Sequence, residues 1–211
     1  MNQAPDYTLY LVTDRLRMST DTLERAVEQA IIGGCTMIQL REKNCPFPEF
    51  YRLARSIKTV TDKYHVPLII NDRIDVALAV NAAGVHIGQS DTPAEAARKQ
   101  LGQKRLLGVS VTCVEEAQNA VRAGADYLGV GALFPSRTKT DATPVSIDEL
   151  LKIRQSVLLP LVAIGGISKE NAAQLRPMGI DGIAVISAII AQPDIARAAT
   201  ELKNVFLHSP P

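Results

Sequence analysis

The chain has 211 residues, of which 46% are hydrophobic and 21% charged, a composition that suits one soluble globular domain with a sizeable core. A net charge of +1 and only 4% aromatic residues disfavour a nucleic-acid-binding surface. No apolar run approaches the ~20 residues that span a bilayer, so no membrane association is expected. The amino terminus has no signal-peptide pattern. The three cysteines, which lack metal-ligand spacing, are interpreted as reduced thiols of a cytoplasmic protein.

Short apolar runs alternate along the chain with longer segments of helical period. Eight strands are predicted, at residues 8–13, 36–40, 66–70, 84–87, 105–109, 126–130, 160–164 and 182–186. A helix is predicted after each strand, near residues 20–33, 47–64, 73–82, 93–101, 113–123, 146–156, 168–176 and 193–207. Glycines favoured at helix exits precede several strands. These are Gly34, Gly84, Gly124 and Gly179.

Eight strand–helix units in 211 residues predict an α/β protein with a single (β/α)8 TIM barrel over residues 1–211, ending in a tail that frays at 208–211. The alternative is an open doubly wound sheet. That fold normally has fewer strands and a glycine-rich first turn, whereas the first turn here reads Thr13-Asp14-Arg15.

Carboxylates follow two strands that are neighbours in the predicted barrel. Asn71 and Asp72 follow the third strand, and Asp91 follows the fourth. Two carboxylates on adjacent strand ends can share one Mg²⁺ ion. The alternative is helix capping, because each segment precedes a predicted helix and short polar side chains accept its free N–H groups.

The second strand runs into a charged segment. Side chains alternate along a strand, so Gln39, Arg41 and Lys43 are predicted to share one side, while Leu40 and Glu42 point to the other. Arginine and lysine in this arrangement suit phosphate oxygens. A solvated strand end with mixed charges explains the same residues equally well.

Two further segments are candidates for anion binding. Gly131–Thr143 is the longest connection and is either a binding loop or a polar surface loop. Gly165-Gly166 follows the seventh strand and Ser187 the eighth, where barrels frequently bind phosphate. The alternative is a tight turn with a small hydroxyl beyond it. His86, flanked by apolar residues inside a strand, is interpreted as a hydrogen-bonded structural histidine.

Several motifs fall in order at the strand ends: QLREK at 39–43, INDR at 70–73, GVHIGQSD at 84–91, GVS at 108–110, GADYLGVG at 124–131, TKTDA at 138–142, AIGGI at 163–167 and VISAI at 185–189. Together they resemble the thiamine phosphate synthase family. The resemblance implies a (β/α)8 barrel that joins 4-amino-2-methyl-5-hydroxymethylpyrimidine diphosphate to 4-methyl-5-(2-phosphooxyethyl)thiazole. The implied products are thiamine phosphate and pyrophosphate.

The resemblance also assigns roles to residues. It implies that Asp72 and Asp91 bind one Mg²⁺ per subunit. Segment 39–43 is implied to contribute to substrate binding. The implied residues for the pyrimidine diphosphate are Gln39, Arg41, Lys43, Asn71, Ser110 and Lys139. Leu40 and Glu42 are implied as further substrate-binding residues. Those implied for the thiazole phosphate are Ser136, Arg137, Thr138, Gly166, Ile186 and Ser187.

The sequence departs from the family pattern in three places. Ser136 stands where the family often has Thr, Ala132 where it often has Pro, and Val111-Thr112 where a small residue and His are commoner. None of these changes removes a charge or an expected metal ligand.

Small barrels of this kind often pair through their outer helices, so a homodimer is the expected partner arrangement.

The implied chemistry is a dissociative substitution in which Arg41, Lys43, Lys139 and Mg²⁺ stabilise the departing pyrophosphate. Ser110 is implied as a further catalytic residue. The attacking thiazole nitrogen has no proton to lose, so no general base is needed. The close alternative is a related thiazole tautomerase, whose catalytic histidine follows the sixth strand, where this chain has Gly131–Phe134. A non-catalytic barrel that binds a thiamine precursor is a further alternative.

Overall fold

The structure, a computed structural model, describes residues 5–135 and 143–208. Its strands are β1 Leu9–Val12, β2 Met37–Leu40, β3 Leu68–Asn71, β4 Gly84–Ile87, β5 Leu106–Val111, β6 Tyr127–Val130, β7 Leu161–Ile164 and β8 Gly182–Val185. Its α-helices are α1 Leu23–Ile32, α2 Phe47–Lys63, α3 Ile74–Ala79, α4 Ala94–Leu101, α5 Val114–Arg122, α6 Ile147–Ser156, α7 Ser187–Ile190 and α8 Ile195–Leu207.

The strands close into a barrel in which every neighbouring pair is parallel. β1 pairs with β2 on one side and with β8 on the other, where Leu9 lies opposite Ile183. Closure leaves no sheet edge and excludes the doubly wound alternative. The predicted single (β/α)8 barrel is therefore confirmed. A frayed tail is predicted at 208–211, and the part of it beyond His208 lies outside the described residues.

The prediction of a helix at 168–176 is wrong. Two short 3-10 turns, Ala172–Gln174 and Arg176–Met178, occupy this part of the chain instead. Pro177 lies in the second turn, where its ring and missing N–H oppose a continuous α-helix. A short helix that was not predicted, α7, begins directly after β8.

The glycine pattern holds at three of its four positions. Gly34, Gly124 and Gly179 have positive φ angles of 104°, 85° and 78° at the exits that precede a strand. Gly84 is different, because it is already the first residue of β4. The positive φ of that connection, 53°, belongs to Asn81.

The barrel has two apolar cores on opposite faces of the sheet. The larger lies between the strands and the surrounding helices. The smaller fills the barrel interior, and its buried members are Tyr7, Tyr10, Val12, Met37, Ile69, Tyr127, Val162 and Ala184. Successive strand residues alternate between these cores, as in β2, where Met37 points inward and Ile38 outward. Within the described ranges, no helix has the length and apolar character that a membrane span requires.

A buried arginine joins α4 to the connections below the barrel. Arg98 donates hydrogen bonds to the carbonyl oxygen of Gly124 at 2.8 and 3.0 Å, and to those of Gly102 and Arg105 at 2.7 and 2.8 Å. Its guanidinium also pairs with Asp126 Oδ2 at 2.5 Å. Arg98 therefore holds together backbone groups that approach β5 and β6.

We expect Arg98→Met to lower the free energy of unfolding by about 2 to 3 kcal/mol, because it deprives three carbonyl groups and Asp126 of a charged donor. The matched control is Arg122→Met, on an exposed surface of α5, with an expected change within about 0.5 kcal/mol. Urea denaturation of both variants measures the difference. Equal losses of stability in the two variants would contradict this role for Arg98.

Candidate functional site

The polar residues singled out at strand ends gather at one mouth of the barrel. Gln39 lies in β2, Asn71 ends β3 and Ser110 lies near the end of β5. All strands are parallel, so their carboxyl ends lie at the same rim. In barrels of this kind that rim is the catalytic face.

Asp72 and Asp91 form a carboxylate pair at this rim. The pKa of Asp72 is raised from 3.8 to about 6, first because the side chain is buried and then because Asp91 lies beside it. Arg41 acts in the opposite direction and lowers this pKa. A close pair of carboxylates is unfavourable unless a proton or a cation is shared between them.

Neither carboxylate caps a helix. Arg73 occupies the N-cap position of α3 and Pro93 that of α4, and neither helix has a side-chain capping hydrogen bond. Asp72 has a positive φ of 61° and its N–H donates to His86 O at 2.9 Å. Asp91 Oδ2 accepts from Gly88 N at 2.7 Å, which braces its own loop. The capping alternative is therefore wrong for both residues.

The predicted alternation along β2 is found where the strand is regular. Gln39 is directed into the barrel interior, and Leu40 packs between the sheet and the helices. Beyond the strand, Arg41 is half-buried and Lys43 is exposed. The backbone N–H of Arg41 donates to Thr13 Oγ1 at 3.1 Å, which connects this segment to the end of β1.

Glu42 pairs with a different cation, Arg15. Arg15 donates to both of its carboxylate oxygens, at 2.9 and 2.7 Å. Such a bidentate pair fixes the direction of both side chains. The Glu42 carboxylate thus holds the connection after β1 against the connection after β2.

Arg73 joins the connection after β2 to the start of α3. Its Nη1 donates to Cys45 O at 3.4 Å, and its guanidinium carbon lies 5.9 Å from the centroid of the Phe47 ring. Asp75 accepts from the same guanidinium at 2.9 and 2.6 Å. Arg73, which directly follows Asp72, therefore connects the segment after Lys43 to the start of α3.

The turn after β7 packs against the chain that leaves β6. Gly165 and Gly166 have positive φ angles of 97° and 64°. A Cβ atom at Gly166 would lie 2.4 Å from Pro135 O and 2.6 Å from Phe134 O. Close packing thus accounts for these glycines without a ligand. Ser187 begins α7 after β8, and Ile186 precedes it.

Part of the predicted site lies outside the described residues. These positions are Ser136, Arg137, Thr138 and Lys139. Within the described ranges, no group of three or more His, Cys, Asp or Glu residues is arranged to hold a metal ion.

A hydrogen-bonded chain of side chains crosses the barrel interior below the rim. Gln39 Nε2 donates to Tyr10 Oη at 3.0 Å, and Tyr10 Oη lies 3.0 Å from Tyr127 Oη. Tyr127 Oη lies 3.1 Å from His86 Nδ1, and His86 Nε2 lies 2.8 Å from Ser110 Oγ. The hydrogen bonding predicted for His86 is confirmed.

Sequence reasoning missed Tyr10 and Tyr127. Both residues stand at strand positions whose side chains point into the barrel. The alternation of side chains along each strand was the signal that could have identified them. Two glycines make room for the chain. A Cβ atom at Gly108 would lie 2.2 Å from Tyr127 Cζ, and one at Gly129 would lie 2.9 Å from His86 Cε1.

The raised pKa of Asp72 predicts a pH-dependent stability without divalent metal. Folding raises this pKa from 3.8 to about 6. The contribution of Asp72 to the free energy of unfolding is therefore fully present below the lower value and is lost as pH rises through the higher one. The unfolding free energy of the wild type should therefore decline between about pH 4 and pH 7. In Asp72→Asn this decline should be smaller by about 1 to 2 kcal/mol, a figure discounted for the partial exposure of the side chain. Urea denaturation in EDTA measures this.

Asp75→Asn provides the matched control. Pairing with Arg73 lowers the pKa of Asp75, so its titration lies below the tested interval and its loss should leave the decline in place. A decline that is identical in wild type and Asp72→Asn would contradict the prediction.

Most of the chain matches a known protein family. Residues 9–189 match the family described as Thiamine monophosphate synthase. A thiamine-phosphate synthase of Ruminiclostridium cellulolyticum is 60% identical over 208 residues, covering 99% of each chain. One from Clostridium beijerinckii is 58% identical over 202 residues, covering 96% of this chain and 97% of its own.

A solved structure agrees in fold and sequence. Thiamine phosphate pyrophosphorylase from Pyrococcus furiosus superposes with a TM-score of 0.89 at 40% identity, covering 97% of this chain and 98% of its own. The resemblance first drawn from the motifs at the strand ends is thereby confirmed. The chain belongs to the thiamine monophosphate synthase family.

Proposed function

We propose that this chain joins 4-amino-2-methyl-5-hydroxymethylpyrimidine diphosphate to 4-methyl-5-(2-phosphooxyethyl)thiazole, giving thiamine phosphate and pyrophosphate. The observation that carries the activity is identity of 58–60% to thiamine-phosphate synthases over nearly the whole chain. At that level the predicted activity, a transferase reaction, is confirmed. The substrates, the roles of residues and the mechanism are our proposal.

Asp72 and Asp91 are proposed to hold one Mg²⁺ per subunit. The fit rests on the raised pKa of Asp72, which Asp91 helps to cause, since a divalent cation would favour both ionised carboxylates. Mg²⁺ commonly takes one or two carboxylates and completes its shell with phosphate oxygens and water, so a pair is sufficient. When bound, the ion would supply positive charge to the diphosphate of the substrate.

Arg41, Lys43 and Lys139 are proposed to bind the diphosphate and stabilise the charge that develops on it as it leaves. Arg41 is held by its backbone bond to Thr13 and lies close enough to Asp72 to lower the pKa of that residue. Its guanidinium is therefore near the proposed metal ligands. Donors prearranged in this way stabilise a charged transition state without reorganising during the reaction.

Gln39, Asn71 and Ser110 are proposed to orient the pyrimidine diphosphate. Ser110 Oγ lies 2.8 Å from His86 Nε2, which restrains its direction. Leu40 is wholly buried and the carboxylate of Glu42 is bound by Arg15, so contact from these two residues would come through their backbone atoms.

The thiazole phosphate is proposed to bind where the ends of β6, β7 and β8 meet. Support comes from Gly166, Ile186 and Ser187, which follow adjacent strands at the rim. Barrels frequently place a phosphate at this position, beside a short extra helix like α7. Ser136, Arg137 and Thr138 complete the proposal from sequence resemblance alone.

The proposed reaction is a dissociative substitution. The bond between the pyrimidine methylene carbon and the diphosphate oxygen breaks first, and the aminopyrimidine ring delocalises the resulting positive charge. The thiazole nitrogen then attacks the methylene carbon with its lone pair. No proton is lost in this step, so a general base is unnecessary.

The tautomerase alternative is disfavoured by Gly131–Phe134, a segment without histidine. A cytoplasmic setting is proposed because Cys35, Cys45 and Cys113 are all free thiols. A homodimer remains a proposal, because barrels of this size can pair through their outer helices.

The reaction assay tests the proposal directly. Pyrophosphate release should require the pyrimidine diphosphate, the thiazole phosphate and Mg²⁺ together, with thiamine phosphate formed in equal amount. Tight binding of both organic substrates without pyrophosphate release would instead support the non-catalytic barrel.

Lys139→Ala is expected to lower turnover by more than about 10-fold, because it removes a cation from the leaving group. Lys104→Ala is the matched control, since Lys104 is exposed in the connection between α4 and β5, at the opposite end of the barrel. Steady-state measurement of kcat on both variants decides the point. Unchanged turnover in Lys139→Ala would remove this residue from the proposed role.

A further inference from the structure

We propose that Tyr10, Tyr127 and His86 form a relay of hydrogen bonds between Gln39 and Ser110. Through this relay, whether Gln39 presents a donor or an acceptor to a ligand depends on whether Ser110 presents a donor or an acceptor. The two tyrosines are therefore determinants of substrate specificity. The two ends of the relay lie in β2 and β5, on different sides of the barrel mouth. The inference deepens the proposed function and rests on it for the identity of the two ligand groups.

The relay is isolated from solvent at its centre. Tyr10 is 1% exposed and Tyr127 is wholly buried, and their hydroxyl oxygens lie 3.0 Å apart. Each hydroxyl has one proton to donate, and a neutral imidazole donates from one nitrogen while accepting at the other. The direction of one hydrogen bond therefore sets the direction of the next along the whole relay.

Two arrangements of protons are compatible with these four hydrogen bonds. In the first, Gln39 donates to Tyr10, Tyr10 to Tyr127 and Tyr127 to His86 Nδ1, so His86 Nε2–H donates to Ser110. The Ser110 proton is then available to a ligand, and the Gln39 carbonyl oxygen faces the mouth. In the second, every bond is reversed, so the Gln39 amide nitrogen faces the mouth and the Ser110 proton points into the relay.

An anionic diphosphate selects the first arrangement. Its oxygens only accept hydrogen bonds, so Ser110 must donate to them. The structure supports the same direction at the other end, because Gln39 Nε2 is the atom placed 3.0 Å from Tyr10 Oη. Among the described residues, no hydrogen-bond partner is found for Gln39 Oε1.

The exposed polarity then specifies the base. A carbonyl oxygen at the mouth accepts from the exocyclic amino group of a 4-aminopyrimidine and opposes the oxygen of a 4-oxopyrimidine. Sites that present a fixed hydrogen-bonding group discriminate strongly against an analogue that leaves it unpaired. Diphosphate binding at Ser110 would thus reinforce amino-group recognition at Gln39.

The first test measures this discrimination. The ratio of kcat/KM for the 4-amino diphosphate to that for its 4-oxo analogue is compared between wild type and two variants. Tyr10→Phe removes the acceptor for Gln39 Nε2, and Tyr127→Phe removes the acceptor for the Tyr10 proton. We expect the ratio to fall by at least about 10-fold in each variant, because the Gln39 amide group can then rotate and present its nitrogen to the ligand.

Tyr7→Phe is the matched control. The Tyr7 ring centroid lies 5.0 Å from that of Tyr127, but its hydroxyl takes no part in the relay. Its ratio should equal that of wild type. Active Tyr10→Phe and Tyr127→Phe variants with the wild-type ratio would overturn the relay. An inactive wild type would instead overturn the proposed function.

A second test uses wild-type protein and does not depend on whether the variants fold. Nitrogen-15 NMR of the imidazole rings, with saturating pyrophosphate and Mg²⁺, reports which nitrogen of His86 carries a proton. The signals are assigned with His65→Gln and His208→Gln variants, which remove the other two histidines. We expect a neutral ring protonated at Nε2 only. Protonation at Nδ1, on both nitrogens, or failure of pyrophosphate to bind would overturn the proposal.

Discussion

Closure of eight parallel strands into one ring is the constraint on which the rest of the structure depends. Parallel pairing brings every carboxyl-terminal strand end to one rim, so residues far apart in sequence become neighbours. Asn71 and Ser110 reach the same mouth for this reason alone. The connections then hold each other in place, as in the bidentate pair between Arg15 and Glu42.

The barrel interior carries a polar path through an otherwise apolar core. Tyrosine suits this place because its ring fills apolar volume while its hydroxyl bonds onward. The path needs space, which Gly108 and Gly129 supply on neighbouring strands. A buried polar network stabilises only when every member is satisfied, so its five side chains behave as a unit, from Gln39 to Ser110.

The carboxylate pair illustrates a conflict between stability and function. Burial and the proximity of Asp91 raise the pKa of Asp72 to about 6, so the ionised pair destabilises the protein near neutral pH without a cation. Such tension is common where an active site is arranged for a ligand rather than for the empty fold. The Mg²⁺ ion of the proposed reaction would relieve it here.

The sequence by itself determined the barrel, the order of its strands and the family, because hydrophobic periodicity and motif spacing are local properties of the chain. It predicted alternation along β2 for the same reason. Only the tertiary structure decided that Asp72 and Asp91 do not cap helices and that Glu42 pairs with Arg15. It also decided that two tyrosines join Gln39 to His86. Those outcomes depend on distances between separate strands, which closure of the barrel sets and local pattern does not encode.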